Sequence, residues 1–237
     1  MAATTSLASD LPVFYMNDVY KFNEWGKQSV PGFHDRLPAV AFLARKCGER
    51  GDLVSRLAEL GVPVHSLGKC APKRTTNKFT HEIATGDKVS VISKYRVYLA
   101  FENSIEPGYV TEKVYDGFKA GCVGVYSGAP DIQRFVPPGS LIEISKETVV
   151  DAAANIKEAL RSEDAWNRLN WWRQVPVSEW QGGSFLRSWG APGETPPAGF
   201  HPDLGCRICR AAYAHKHPEE TRFDPKTQTL ERLAPGA

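Results

Sequence analysis

The sequence predicts an α/β protein built on a Rossmann-like parallel sheet with helices on both faces. Two observations support this prediction. Short apolar runs typical of buried strands alternate with amphipathic segments of helical length between about residues 38 and 146, and the helical segments end near glycines. Because crossovers between parallel strands are right-handed, this alternation indicates a doubly wound sheet of roughly four or five strands.

The first β-α-β unit follows the opening connecting segment. AVAFLAR is a short apolar run, RGDLVSRLAELG carries leucines at helical spacing before a closing glycine, and VPVHSLG is strand-like again. A little further along, GDKVSVISKY fits either a helix or a strand.

The second unit contains the clearest strand of the chain. RVYLAFE alternates aromatic and aliphatic residues, whereas the polar stretch APKRTTNKFTHE before it predicts a loop. Thr111 is placed to cap a helix over TEKVYDGFKAG, and CVGVY and LIEI are the last predicted strands.

These patterns predict three parts of the chain. Residues 1–37 are expected to form a connecting segment with strand-like aromatic fragments, and residues 38–175 the Rossmann-like domain, closed by two helices. Residues 176–237 are rich in glycine and proline and then polar, so we expect a loosely structured tail.

Composition narrows the class of protein. Side chains are 42% hydrophobic and 24% charged, and 29 Lys and Arg against 27 Asp and Glu give a formal charge of +2, as in an ordinary globular protein. No block of like charge suggests a nucleic-acid partner. No apolar run reaches the roughly 18 to 20 residues of a membrane span, and the start lacks the order of a signal peptide. We therefore expect neither a membrane anchor nor a targeting signal in this sequence.

Four of the five cysteines are candidates for disulfides. Cys206 and Cys209 form a C-x-x-C pattern that fits a local disulfide, a pair of plain thiols, or half of a zinc or redox site. Cys47 and Cys70 follow the first two predicted strands, whose ends lie side by side in a parallel sheet. They are either a disulfide or two small buried hydrophobic residues.

One stretch after the clearest strand carries side chains suited to a nucleotide diphosphate. Asn103, Tyr109, Glu112 and Lys113 lie within eleven residues, at a strand end and the start of the next helix. First-turn amides and Lys113 favour an anion, and Glu112 can accept hydrogen bonds from ribose hydroxyls or a base edge. Each also has a structural alternative, namely a helix-dipole role for Glu112, packing for Tyr109 and a turn cap for Asn103.

The stretch from RVYLAFEN to LIEI closely resembles the donor-binding region of glycosyltransferase family 10, the α1,3/α1,4-fucosyltransferases. The family signature has FEN, a short spacer, and a tyrosine followed by TEK. TTSLASDLPV and CGERGDLVSRLAELGVPVHSLGKC look like segments of the plant-type core α1,3-fucosyltransferases, and GCRIC resembles their terminal C-x-x-C.

The resemblance implies transfer of L-fucose from GDP-fucose to an N-acetylglucosamine hydroxyl, on the N-glycan core in α1,3 linkage, with inversion. It implies that this chain is the carboxyl-terminal, donor-binding half of a GT-B fold. By position, Lys113 would hold the diphosphate, Glu112 the ribose, and Tyr109 and Asn103 the nucleotide and sugar surroundings. Arg50 would be a second phosphate-binding cation.

The same resemblance implies no metal requirement, with Mn²⁺ as a stimulant, and the sequence has no D-x-D cluster. The partners would be GDP-fucose and a glycan or glycoprotein acceptor. The location would be the Golgi, with membrane attachment only through an amino-terminal anchor outside this chain.

Two departures from the family open an alternative. Arg45 and Lys46 stand where many members have serine and asparagine. The catalytic base is expected in an amino-terminal acceptor domain that this chain lacks, so none is assigned. The alternative is a shortened, non-catalytic protein that binds GDP-fucose or GDP, or an interaction protein. A Rossmann dehydrogenase is excluded because no G-x-G-x-x-G follows the first strand.

Overall fold

The computed structural model of the chain describes residues 3–4, 11–12, 15, 21–180, 204–224 and 229–233. The strands are β1 (Ala3–Thr4), β2 (Leu11–Pro12), β3 (Leu37–Phe42), β4 (Val64–Ser66), β5 (Thr76–Asn77), β6 (Tyr95–Phe101), β7 (Val123–Ser127), β8 (Leu141–Glu143), β9 (Thr221–Asp224) and β10 (Thr229–Arg232). The α-helices are α1 (Lys21–Lys27), α2 (Gly48–Glu59), α3 (His81–Thr85), α4 (Lys88–Ile92), α5 (Glu112–Lys119), α6 (Val149–Arg161), α7 (Glu163–Leu169) and α8 (Leu204–Lys216).

The centre of the molecule is a six-stranded sheet in the order β5-β4-β3-β6-β7-β8. Every neighbouring pair is parallel. Counted from β3, this is the order 3-2-1-4-5-6 of a Rossmann sheet, with the change of direction between β3 and β6. The predicted fold class is confirmed.

The sheet has one strand more than the upper end of the predicted range. The extra strand is β5, which lies in the stretch predicted as a loop and pairs with β4 at His65 and Ser66. Both of its residues are exposed, so it has no apolar pattern from which a strand could be predicted.

Two apolar clusters sandwich the sheet, one on each face. Strand β6 supplies both, because alternate side chains point to opposite faces: Tyr98 lies in one cluster and Val97 and Leu99 in the other. Helices α2 and α6 cover the second cluster, and α1, α4 and α5 the first.

Helix α1 replaces the strand-like fragments expected around residues 21–27. Phe22 and Trp25 are buried and lie three residues apart, on one face of the helix. Phe22 makes edge contacts with Phe118 of α5 and with Trp172, at ring-centroid distances of 5.3 and 5.4 Å. This packing, rather than local propensity, selects a helix.

Helix starts near the predicted site follow the sequence rules. Thr111 is the N-cap of α5, as predicted, and accepts a hydrogen bond from the Lys113 amide. The ambiguous segment GDKVSVISKY forms α4, because the Asp87 side chain accepts from the amides of Val89 and Ser90.

The described carboxyl-terminal residues contain regular structure where a loose tail was expected. Helix α8 packs against an antiparallel pair, β9 and β10. The irregular segment predicted from residue 190 lies outside the described residues up to residue 203. Among the residues that the structure describes, no helix is long and apolar enough to cross a membrane.

The disulfide alternative for the C-x-x-C pattern is wrong in this structure. Cys206 and Cys209 lie on α8 and are not disulfide-bonded. Side chains three apart on a helix have Cβ atoms about 5–6 Å apart, whereas a disulfide needs about 3.8 Å. Cys47 and Cys70 do form a disulfide, with their Cα atoms 5.0 Å apart.

Candidate functional site

A cleft of about 1200 Å³ opens beyond the carboxyl ends of β3, β6, β7 and β8. The loops that follow these strands line it, through residues 45–50, 102–105, 127–128 and 144–147. Ligands of open parallel sheets bind outside the carboxyl ends of the strands, where the strand order reverses. The cleft includes that point, between β3 and β6.

Arg50 bridges the point where the strand order reverses. It lies in the first turn of α2, and its Nη1 donates to Asn103 Oδ1 at 2.6 Å and to the Phe101 carbonyl at 3.2 Å. Its Nη2 donates to the Lys46 carbonyl at 2.9 Å. All three acceptors are neutral oxygens, so the guanidinium keeps its full charge while its position is fixed. This arrangement is suited to holding an anion in the cleft.

Glu102, the residue directly after β6, is the centre of a buried polar network. Its carboxylate accepts hydrogen bonds from the Thr111 amide at 2.8 Å and from Thr111 Oγ1 at 2.7 Å. Lys113 Nζ lies 3.3 Å from Glu102 Oε2 and donates to Thr111 Oγ1 at 2.8 Å. The Glu102 side chain is 0% exposed. The network therefore closes the loop between β6 and α5 and ties Lys113 to the wall of the cleft.

Lys113 and Glu112 stabilise each other's charges at the start of α5. Lys113 Nζ lies 3.2 Å from Glu112 Oε1. Burial opposes the charge on the Lys113 amino group, but Glu102 and Glu112 raise its pKa above the ordinary value. Burial likewise opposes the charge on Glu112, but Lys113 and a backbone hydrogen bond bring its pKa below the ordinary value.

The five predicted donor-site residues fall into two groups. Arg50 and Asn103 line the cleft and contact each other. Tyr109, Glu112 and Lys113 are not among the residues that line it, and Tyr109 is half-buried in the loop before α5. The roles of all five in donor binding stay predictions.

One cleft feature, the loop 144–147, was not identified from the sequence, whereas Gly128 begins the stretch GAPDIQRFVPPGS that the family resemblance places at the donor cleft. The loop 144–147 follows β8, so the strand-end rule that selected Asn103 could also have selected it. Gly128 follows β7, and a Cβ there would lie 2.6 Å from Glu102 Cγ and 2.5 Å from the Tyr126 hydroxyl. Only glycine leaves room for the buried carboxylate.

The disulfide lies at the edge of the cleft. Cys47 lines the cleft and precedes α2, while Cys70 follows β4. The Cys70 amide also donates to the Ala44 carbonyl at 3.0 Å. The loops after β3 and β4 are therefore joined beside Arg50. No group of three or more His, Cys, Asp or Glu side chains that could hold a metal occurs among the described residues.

The chain is similar to known fucosyltransferases along most of its length. The model of glycosyltransferase family 10 (fucosyltransferase), C-terminal part, matches residues 35–222. A fucosyltransferase-like protein of Arabidopsis thaliana is 32% identical over 182 residues, which cover 74% of this chain and 33% of that protein. GDP-fucose protein O-fucosyltransferase 3 of Mus musculus is 26% identical over 209 residues, covering 84% and 43%. An α-(1,4)-fucosyltransferase of Arabidopsis thaliana is 30% identical over 139 residues, covering 53% and 34%.

The fold is similar to that of a solved enzyme. The crystal structure of an α1,3-fucosyltransferase with GDP-fucose matches with a TM-score of 0.52 and 22% identity, over 64% of this chain and 43% of that one. At this identity the likeness concerns the fold alone. The chain spans between 33% and 43% of the length of the three relatives described above.

Proposed function

The chain belongs to glycosyltransferase family 10, the fucosyltransferases, as its FEN and TEK motifs predicted, and from that premise we propose that its cleft binds GDP-fucose. In the proposed reaction, L-fucose passes with inversion to a hydroxyl of an N-acetylglucosamine on a glycan. The resemblance to plant-type core enzymes favours the N-glycan core and an α1,3 linkage.

The observation that carries the proposal is the position of Arg50. A charged guanidinium, held only by neutral oxygens, lines a cleft at the reversal point of a Rossmann sheet. Negative charge builds on the departing GDP during transfer, and a cation fixed in advance stabilises that charge without reorganisation. Arg45, Lys46 and Lys146 line the same cleft, and with Arg50 they exceed by one the lining carboxylates Glu49, Glu102 and Glu147.

Lys113 is proposed as the second cation for the diphosphate. Its side chain is 16% exposed, and one of its two carboxylate partners, Glu112, is itself 42% exposed. A phosphate oxygen can replace Glu112 as a partner while Glu102 and Thr111 continue to hold the amino group. Glu112 is then released to accept hydrogen bonds from ribose hydroxyls, the role proposed for it.

The names of the relatives agree on the sugar, but one specifies an acceptor and another a linkage. The mouse relative is named for fucose transfer from GDP-fucose to protein, and the Arabidopsis relative for an α-(1,4) linkage. Acceptor and linkage therefore need a test of their own. Glu102 is not proposed as the catalytic base, because its fully buried carboxylate already binds Thr111 and Lys113.

The metal and cellular parts of the proposal follow the family resemblance. We propose transfer without an obligatory metal, with Mn²⁺ as a stimulant only, and a Golgi location.

Calorimetric titration with GDP, GDP-fucose and UDP in EDTA tests the donor site. We expect GDP and GDP-fucose to bind and UDP to give no heat. Arg50→Ala should weaken GDP binding by about 1–3 kcal/mol, the range of a lost charge-assisted contact. The matched control is Arg56→Ala, which removes a half-exposed arginine of the same helix that pairs with Glu59. Equal GDP affinity in the two variants would overturn the proposed phosphate site.

A second candidate function is binding of GDP-fucose or GDP without transfer, or a role as an interaction protein. The basic residues Arg45 and Lys46 at the cleft, which depart from the family pattern, favour it. Mass spectrometry of an N-acetylglucosamine glycopeptide and of a hydroxyl-bearing protein acceptor, each incubated with GDP-fucose, separates the cases. Fucosylated glycopeptide supports the proposal. If only the protein acceptor is fucosylated, the proposed N-acetylglucosamine acceptor is wrong. If GDP binds but neither acceptor is fucosylated, the second candidate function is supported.

A further inference from the structure

A set of exposed cations lies on the loop that follows β3, at the cleft, and on the segment from the end of β4 to the residue directly after β5. It comprises Arg45, Lys46, Lys69, Lys73, Arg74 and Lys78, here called the basic platform. Residues 69–78 contain four of these cations and no acidic residue. None of the six forms an ion pair with another residue in the described part of the chain.

The basic platform rests on a rigid frame. The Cys47–Cys70 disulfide joins its two loops, and the Cys70 amide donates to the Ala44 carbonyl. Gly68 allows this close approach, since a Cβ there would lie 2.0 Å from the Ala44 carbonyl oxygen. The cations are therefore presented together by a fixed backbone and not by independent loops.

A tight turn presents the outer part of the platform. The amide and hydroxyl of Thr75 both donate to the Pro72 carbonyl, at 3.3 and 2.7 Å. Arg74 within this turn has φ of 61°, in the left-handed region that few non-glycine residues occupy. The Lys78 amide donates to the Ser66 carbonyl at 2.8 Å and fixes the end of the segment to β4.

We propose that the basic platform binds an acidic polypeptide segment of the acceptor and so directs the acceptor to the donor cleft. The proposal rests on the proposed function and adds a substrate feature to it. Arg45 and Lys46 belong to both the platform and the cleft wall, so a segment bound on the platform lies next to the donor. Unpaired cations at the rim of a site raise the association rate and select partners of opposite charge.

The scarcity of exposed apolar side chains beside the platform favours a polypeptide over a membrane as the partner. One exposed aromatic side chain, Phe79 at 38% exposure, follows the platform, which is little apolar surface for insertion into a bilayer.

The test is a charge-matched pair of triple variants. The platform variant is Lys69→Gln, Lys73→Gln and Arg74→Gln, none of which lines the cleft. The control variant removes the same charge elsewhere, by three substitutions of exposed cations: Lys27→Gln, Lys94→Gln and Arg161→Gln. Fluorescence anisotropy measures binding of a labelled peptide of alternating Glu and Ser, and calorimetry measures GDP binding by each protein.

We expect the platform variant to bind the acidic peptide about tenfold more weakly than the wild type, the effect of losing three rim ion pairs. The control variant should bind it as the wild type does, added salt should weaken the interaction, and GDP affinity should be equal in all three proteins. Transfer to an acidic glycopeptide that carries N-acetylglucosamine should show a raised KM at constant kcat in the platform variant.

Other results overturn the proposal. Equal loss of peptide binding in both variants would show a general charge effect. Wild-type protein that binds phosphatidylserine vesicles but not the peptide would assign the platform to a lipid surface. If the wild type does not bind GDP, the proposed donor site is overturned. The peptide measurement still decides whether the platform binds an acidic segment.

Discussion

Replacing Glu102 by glutamine keeps the size of the side chain and removes its charge. The residue links the end of β6 to the start of α5, because both carboxylate oxygens bind Thr111 and one also pairs with Lys113. The substitution therefore tests whether this buried charge holds the cleft wall, without creating a cavity.

The size of the effect follows from the contacts. A hydrogen bond to a charged group contributes about 1.5–3 kcal/mol and a neutral one about 0.5–1.5, so two weakened bonds from Thr111 cost about 2 kcal/mol. Lys113 loses its buried partner but keeps Glu112 at 3.2 Å, which limits that loss to about 1 kcal/mol. We expect the free energy of unfolding to fall by about 2–4 kcal/mol in Glu102→Gln.

Urea denaturation followed by tryptophan fluorescence measures this change. The control is Glu106→Gln, an exposed carboxylate in the same loop, with an expected change within about 0.5 kcal/mol. A double-mutant cycle of unfolding free energies, built from Glu102→Gln and Thr111→Val, should give a coupling energy of about 1–2 kcal/mol, because the two side chains contact each other. If Glu102→Gln is as stable as Glu106→Gln, the buried network does not hold the loop.

Three further predictions concern ionisation and the cysteines. Because the pKa of Glu112 is lowered in the folded protein, its contribution to stability is present above its ordinary pKa and is lost as the pH falls through the folded value. The free energies of unfolding of the wild type and Glu112→Gln, measured by urea denaturation, should thus differ by about 0.5 kcal/mol at neutral pH and converge in acid. Replacing Cys47 and Cys70 by serine should lower the free energy of unfolding, measured by thermal denaturation, by about 3 kcal/mol. The control Cys209→Ser should leave it unchanged. A titration that finds five thiols in denaturant without reductant would contradict the disulfide. Burial raises the pKa of Cys122 to about 12, so iodoacetamide should leave it unmodified in the native protein at neutral pH, and rapid labelling there would disprove its burial.

Sequence rules predicted those parts of the site that depend on local structure. Thr111 is a helix cap wherever the helix packs, since its hydroxyl binds an amide two residues on. Arg50 and Asn103 follow predicted strands, and the ends of parallel strands meet at one edge, so their proximity follows from the order of elements.

Elements that depend on distant contacts were not predictable in this way. Thr76 and Asn77 form a strand only because β4 offers an open edge, and both are polar and exposed. Phe22 and Trp25 belong to a helix because they bury against Trp172 and its neighbours, far along the chain. The local sequence gives no indication of these distant contacts. Propensity alone therefore favoured a loop at Thr76 and Asn77 and strand-like fragments at Phe22 and Trp25.

The two cations proposed for the diphosphate differ in a way that only the structure shows. Arg50 binds neutral oxygens and is ready for an anion, whereas Lys113 is held by Glu102 and Glu112. Binding at Arg50 adds a charge-assisted contact, but binding at Lys113 exchanges one anion for another. Replacing Arg50 by alanine should therefore reduce GDP affinity more than replacing Lys113 does, whereas Lys113→Ala should lower stability more, because it leaves Glu102 buried without a counter-charge. Calorimetry ranks the two variants by GDP affinity, and urea denaturation ranks them by stability. If Lys113→Ala reduces GDP affinity more than Arg50→Ala does, Lys113 is the principal phosphate contact.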